Sequence, residues 1–144
     1  MKLLVLSLMA IFTTTSAMAC SCAFSTAEEL LTRSEKLVFA APVRDSSIAP
    51  LPNGSSDPYV MMTEFKVIKN FKGSDTDNLR IISSLPLGGN CGLSFKKGGE
   101  PLIISAYKDR VSGLLTTSSC SVRYISYESG FDFMVELANL SKKQ

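Results

Sequence analysis

The chain has 144 residues, with 15 basic and 13 acidic side chains and a formal net charge of +2. This balance disfavours binding to nucleic acid or to an anionic membrane surface, because both require concentrated positive charge. Histidine is absent, which removes the usual general base, the commonest metal ligand and every Ser-His or Cys-His nucleophile arrangement. We therefore expect a protein that is not an enzyme and that needs no cofactor.

Residues 1–19 have the pattern of an export signal. Lys2 precedes an apolar run of about ten residues, and Ala-Met-Ala at positions 17–19 forms a cleavage site before Cys20. A membrane span needs about 20 apolar residues, so we expect no span here. The expected mature protein is one domain, residues 20–144, that is secreted or periplasmic. The alternative is a lipoprotein in which Cys20 is lipidated after cleavage.

The four cysteines are Cys20, Cys22, Cys91 and Cys120. An even number in an exported chain favours two disulfides over a thiolate metal site. Lipidation of Cys20 would leave an odd number of thiols. Four cysteines allow three pairings, and a bridge between Cys20 and Cys22 would close a strained, very small ring.

A helix and then a strand are predicted after the first two cysteines. Ser25 and Glu28 fit a capping box at the start of a short helix that runs through Arg33. The next segment, residues 36–45, predicts a strand with Pro42 at an edge or a bulge. Its apolar face is expected to consist of Leu37, Phe39, Ala41 and Val43.

The remainder of the chain predicts further strands and a terminal helix. Residues 46–58 and 85–90 are rich in turn-forming residues, and residues 96–99 indicate a tight turn. Strands are predicted over residues 59–72, 79–83, 91–95, 100–109 and 111–119. The tail has helical apolar spacing at Phe131, Met134, Val135 and Ala138. Five or six strands with a helix at each end predict a small, closed or partly closed β-barrel.

Several separated stretches resemble the tissue inhibitors of metalloproteinases. Five stretches follow one another in the family's order and at similar spacing. They are the Cys-Ser-Cys start at residues 20–22, "EKLVFAAPVRD", "EFKVIKNFKG", "NCGLSF" and "EPLIISAYKDRVSGLLTTSSCS". The match covers roughly residues 20–122, and the chain resembles a bacterial-type, single-domain member of the family. It implies a netrin-like fold, which is an OB-fold-type five-stranded Greek-key barrel with flanking helices. It also implies the disulfides Cys20–Cys91 and Cys22–Cys120.

The resemblance further implies inhibition of a zinc metalloprotease through the mature N-terminus. The α-amine and carbonyl oxygen of Cys20 would chelate the protease's catalytic zinc and displace its water. The 46–58 loop would reach over the protease surface, and the alternative is a connector with no partner. The partner is thus a zinc metalloprotease of unidentified type, and we expect the inhibitor to be a monomer. The implied protease-contacting residues are Ser21, Cys22, Gly89, Asn90 and Cys91.

Three alternatives remain open at this level. The first is a netrin-like interaction module without inhibitory action, because a fold alone does not determine a function. The second is a redox or copper-binding pair formed by Cys20 and Cys22, which requires free thiols. The third is an enzyme that uses a pair of carboxylates as acid and base.

Overall fold

Seven strands and two α-helices are formed within the residues that the structure describes. The structure is a computed structural model that describes residues 22, 25–51, 59–86, 91–126 and 129–143. In chain order the elements are α1 (Ala27–Arg33), β1 (Lys36–Pro42), β2 (Ser47–Pro50), β3 (Tyr59–Lys72), β4 (Asn78–Ser83), β5 (Leu102–Lys108), β6 (Leu115–Thr116), a 3₁₀ turn (Ser119–Ser121), β7 (Val122–Tyr124) and α2 (Gly130–Ser141).

Five of the strands close into a barrel in the order β1-β3-β4-β6-β5, and β5 pairs back to β1. All of these pairings are antiparallel except β4–β6, which is parallel and joins Ile82 to Thr116. Strand β2 pairs with the first residues of β3, and β7 pairs with the first half of β5. The predicted fold class is confirmed: the protein is mainly β, with an OB-fold-like barrel and flanking helices.

The barrel interior is filled by alternate residues of its strands. Phe65 is fully buried, and its ring meets that of Phe95 edge to face at a centroid distance of 5.1 Å. This geometry is favourable for aromatic pairs. The other buried members of this cluster are Val38, Ala40, Leu79, Ile81, Leu102, Ile104 and Ala106.

A second apolar cluster lies between the barrel wall and the two helices. Its buried members are Ala27, Leu31, Leu37, Phe71, Ile103, Phe133 and Leu137. Strand β1 contributes to both clusters, because Val38 and Ala40 point into the barrel while Leu37 lies under the helices. The prediction of a single apolar face on β1 was therefore wrong: the strand is covered on both faces.

Helix α1 begins one residue later than the capping pattern predicted. Thr26 is the N-cap, its side chain accepts from the Glu29 backbone N–H, and the Glu29 carboxylate accepts from the Thr26 N–H. The predicted pair, Ser25 and Glu28, has the same spacing in the sequence. Both pairs fit the capping-box pattern, and the structure uses Thr26 and Glu29.

Helix α2 forms where the tail pattern predicts it but presents a different face to the core. Its buried residues are Gly130, Phe133 and Leu137, and Met134 and Ala138 pack at the margin. Phe131 and Val135 are exposed, although the predicted stripe included both. The cause is that this helix has apolar residues on two overlapping faces, so that periodicity alone did not select one.

Three segments differ from their predicted structure. Residues 47–50 of the predicted loop are strand β2, which pairs in register with β3 from Ser47–Met62 to Pro50–Tyr59; residues 52–58 lie outside the described residues. Residues 91–95, predicted as a strand, have no regular structure. Among the predicted strand residues 111–119, only Leu115 and Thr116 are in β6.

Candidate functional site

A disulfide joins the start of the described chain to the end of the barrel. Cys22 and Cys120 are bonded, with a Cα–Cα distance of 5.1 Å and a sequence separation of 98 residues. Cys120 lies in the 3₁₀ turn that leads into β7, and β7 is hydrogen-bonded to β5. Residue 22 is thereby fixed to the barrel wall, as the family resemblance implies for this pair.

The chain after Cys22 is held again within a few residues. Thr26 caps α1, and α1 buries Ala27 and Leu31 against the second cluster. At the other end of α1, the ammonium group of Lys72 bonds the carbonyl oxygens of Leu31 and Thr32. Each contact limits how far α1 can move relative to the barrel, so the segment 22–26 is anchored at both ends.

The segment that follows Cys91 is fixed by side-chain hydrogen bonds in place of a β ladder. Cys91 is itself disulfide-bonded. The Ser83 hydroxyl donates to the Leu93 carbonyl at 3.1 Å, and the Phe95 N–H donates to the Ser46 hydroxyl oxygen at 2.7 Å. These bonds satisfy backbone groups that a strand would have paired.

The glycine of the Cys91-Gly92 pair is required by a close backbone approach. A Cβ atom at Gly92 would lie 2.5 Å from the carbonyl carbon and oxygen of Leu85. Any larger residue would push this loop away from the end of β4. The Cys-Gly motif in the sequence therefore has a packing reason at its second position.

An open cleft of about 1260 Å³ lies beside the Cys22–Cys120 disulfide. Leu93 lines the same cleft, so the segments after Cys22 and after Cys91 meet there although they are far apart in sequence. Cys120 is exposed, whereas Cys22 is half-buried. The remaining described lining residues are Ser25, Leu30, Ile103, Ser119, Ser121, Val122, Arg123, Tyr124, Ser126 and Ser129.

Among the described residues that line this cleft, Arg123 is the one with a charged side chain. Its guanidinium carbon lies 3.8 Å from the ring centroid of Phe133, a cation–π contact. Glu100 lies nearby, where its carboxylate accepts from the backbone N–H and the hydroxyl of Ser126, both at 2.8 Å. The cleft is thus mainly apolar, with serine hydroxyls and one fixed cation.

The predicted site residues are only partly within the described chain. Cys22 and Cys91 are described and disulfide-bonded. Cys20, Ser21, Gly89 and Asn90 lie outside the described residues, and so does the predicted pairing of Cys20 with Cys91.

Sequence reasoning did not select the serines that flank Cys120. Ser119 and Ser121 line the cleft, and the buried Ser119 hydroxyl has no hydrogen-bond partner among the described residues. The signal that could have found them is the Thr-x-x-Cys-Ser motif of residues 117–121, since it marks the residues carried next to Cys22 by the disulfide.

The described part of the chain also bears on the metal and thiol alternatives. Within the described ranges, His, Cys, Asp and Glu residues form no group of three or more that could hold a metal ion. Cys22 is bonded to Cys120, which argues against a redox or copper-binding pair made of Cys20 and Cys22. Neither described helix has the length and apolar character needed to cross a lipid bilayer.

Comparison with known proteins gave no match, either to a protein-family model or to a curated protein sequence.

Proposed function

We propose that the protein is an exported inhibitor of zinc metalloproteases that acts through a free N-terminus at Cys20. The observation that carries the proposal is the Cys22–Cys120 disulfide, which anchors the chain two positions after Cys20. Two residues of extended chain span about 7 Å. A terminus at Cys20 therefore has a short tether to a residue that is fixed on the barrel.

The chemistry belongs to the backbone of Cys20. Its α-amine and carbonyl oxygen sit on adjacent backbone atoms and form a five-membered chelate with a metal ion. A catalytic zinc keeps a position open for water or substrate, and the chelate occupies that position. The α-amine has an intrinsic pKa of about 8, so coordination at neutral pH requires the metal to displace only one weakly held proton.

Anchoring supports tight binding because it reduces the conformational entropy lost in the complex. The segment after Cys22 is held by the disulfide and by the α1 cap. The proposed contacts beside the zinc are made by Ser21, which enters the protease pocket next to the metal, and by Gly89, Asn90 and Cys91.

The β2–β3 hairpin is proposed to make a further contact with the protease. Its β3 residues lie beyond the pairing of β3 with β1, which spans Phe65 to Lys72. Ile48 and Tyr59 on this hairpin are 66% and 55% exposed. These two side chains would supply apolar contact area to the protease.

The test compares two forms of the protein that differ at the N-terminus. One form begins at Cys20, and the other carries one additional alanine before it. The alanine converts the amine into a peptide nitrogen, which cannot coordinate the zinc and adds bulk at the metal. We expect the form starting at Cys20 to inhibit at least one zinc endopeptidase of a panel, and the extended form to bind it at least about 100-fold more weakly.

Equal melting temperatures of the two forms serve as the control for folding. The proposal is wrong if the native-start form inhibits no protease of the panel, or if both forms inhibit equally. The mass of the N-terminal peptide from the natural source gives an independent test, since the mechanism requires an unmodified amine on Cys20.

A second candidate function is a netrin-like interaction module without inhibitory action. The exposed Ile48 and Tyr59 favour it, because this surface can bind a partner whatever the state of the N-terminus. A lipidated, blocked or longer N-terminus in the natural protein would support this function over inhibition.

A further inference from the structure

The turn between β5 and β6 presents an apolar and basic surface, which we name the hairpin patch. It consists of Tyr107, Arg110, Val111 and Leu114. Val111 is 62% exposed, Tyr107 46% and Leu114 37%. Tyr107 pairs with Thr116 across the hairpin, and Leu114, two residues before Thr116, continues the same face of the hairpin beyond β6.

Backbone hydrogen bonds close this turn, and its own carboxylate is already engaged. The Asp109 N–H donates to the Leu114 carbonyl, and the Gly113 N–H donates to the Asp109 carbonyl, both at 2.8 Å. One Asp109 carboxylate oxygen accepts from the Ser112 N–H at 2.6 Å and from its hydroxyl at 2.7 Å.

A second carboxylate at this turn, that of Glu35, accepts from the Lys108 N–H at 2.7 Å. Across the described residues, no hydrogen bond or ion pair involves the side-chain cation of Arg110. The hairpin patch is therefore an exposed apolar surface with one cation available for a partner.

The outer face of α2 presents a surface of the opposite charge, which we name the helix patch. It consists of Phe131, Asp132, Val135 and Glu136. Phe131 is 61% exposed and Val135 43%. Spacing of four residues aligns the two apolar side chains in one row and the two carboxylates in the adjacent row. Within the described residues, neither carboxylate takes part in a hydrogen bond or an ion pair.

We propose that the hairpin patch of one copy of this chain binds the helix patch of a second copy. Val111 and Leu114 would pack on Phe131 and Val135, and the Arg110 cation would lie against the carboxylates of Asp132 and Glu136. A second copy is the occupant that fits, because one chain carries both halves of a contact with exposed apolar side chains and complementary charge. The contact joins different surfaces, so it is heterologous.

Both patches are small compared with the roughly 800 Å² per partner of a stable interface. The association is therefore weak and depends on concentration, and it is strengthened at low ionic strength because the charges are exposed. It replaces the expectation of a strict monomer. It does not rest on the proposed inhibition, and its test needs no protease.

The experiment is sedimentation equilibrium of the full mature chain over a wide concentration range at low and high salt. We expect the average mass of the wild type to rise with concentration and the rise to shrink in high salt. Arg110→Glu alone and Asp132→Arg alone should each weaken association about tenfold. An equimolar mixture of the two variants should restore it, since each contact between unlike variants again pairs opposite charges. Lys66→Glu, which reverses an exposed charge on β3, is the matched control. It should leave the strength of self-association unchanged, apart from the small effect of the altered net charge.

The proposal is overturned if the wild type stays monomeric up to about 1 mM at low salt, or if mixing the two reversals does not restore association. A vesicle-binding experiment gives another result that would overturn it. In that result, vesicles containing phosphatidylglycerol bind the monomer, Arg110→Glu abolishes this binding and Asp132→Arg leaves it intact. Self-association is at the same time unchanged by either substitution. That result would assign the hairpin patch to an anionic lipid surface.

Discussion

Replacement of both Cys22 and Cys120 by alanine tests how strongly the N-terminal anchor stabilises the fold. The two residues are 98 positions apart, and the loop-entropy relation gives about 4.7 kcal/mol for a closed loop of that length. If the second bridge joins Cys91 to Cys20, it shortens the effective loop to about 30 residues and lowers the value to about 3.7 kcal/mol. The melting temperature should then fall by about 15 °C for a domain of this size.

The assay is urea denaturation followed by far-UV circular dichroism. Because the cross-link acts mainly on the unfolded ensemble, its removal should also raise the m-value, since the unfolded chain becomes more expanded. Ser129→Ala is the matched control: Ser129 lines the same cleft, and its side chain makes no capping hydrogen bond with α2. A loss of stability below about 1 kcal/mol with an unchanged m-value would refute the reasoning.

Three further predictions concern single positions. Thr26→Ala should lower the free energy of unfolding by about 1 kcal/mol through loss of the α1 cap, as measured by urea denaturation. An unchanged free energy of unfolding would show that Thr26 is not the residue that caps α1. Gly73→Ala should destabilise more than Gly98→Ala in the same assay. Both glycines have positive φ, but only at Gly73 does an added Cβ meet a backbone oxygen, at 2.8 Å; equal losses would contradict this. Hydrogen bonds from Ser112 lower the pKa of Asp109, so Ser112→Ala should raise it toward its ordinary value, as followed by NMR titration. Because its pKa is lowered in the folded state, Asp109 stabilises the fold at pH values above the unfolded carboxyl pKa of about 3.9. This contribution is lost as the pH falls through the folded pKa. The variant should therefore lose less stability in acid than the wild type, and an equal loss would contradict the assignment.

The strands that build the barrel were predictable because their apolar residues recur with the spacing of a pleated strand or as short buried runs. Residues 59–72 and 79–83 are strands β3 and β4 at nearly the predicted bounds, and β5 lies within the predicted 100–109. Strand β2 was missed because the three prolines of residues 46–58 indicate a loop. A strand that uses only one edge for pairing tolerates Pro50, since no neighbour requires its missing N–H.

Residues 91–95 show a limit of pattern reasoning. Leu93 and Phe95 alternate as in a strand, but the hydrogen bonds of this segment go to the hydroxyl group of Ser83 and to the hydroxyl group and backbone N–H of Ser46. Such partners are remote in sequence and leave no periodic signal. The face of α2 was likewise undetermined until the packing of Phe133 and Leu137 against β1 and β3 selected it.

For the candidate site, the pairing of Cys22 with Cys120 could be predicted only through the family resemblance, since four cysteines alone allow three pairings. The cleft beside that disulfide could not be predicted. Arg123 and Ser129 reach it because β7 pairs with β5 and α2 starts nearby, and neither fact can be read from local sequence.

Strand β1 has a consequence for the newly made chain. In the finished protein it is paired on both edges, with β3 and with β5, and covered on both faces. During synthesis, β1 and β3 precede β5, whose residues begin at Leu102. Until those residues are available, one edge of β1 is open while its apolar faces lack their cover, which is the condition under which a nascent strand joins another chain. We therefore expect the first two thirds of the chain to be the part that is most prone to pairing with other chains before β5 is made.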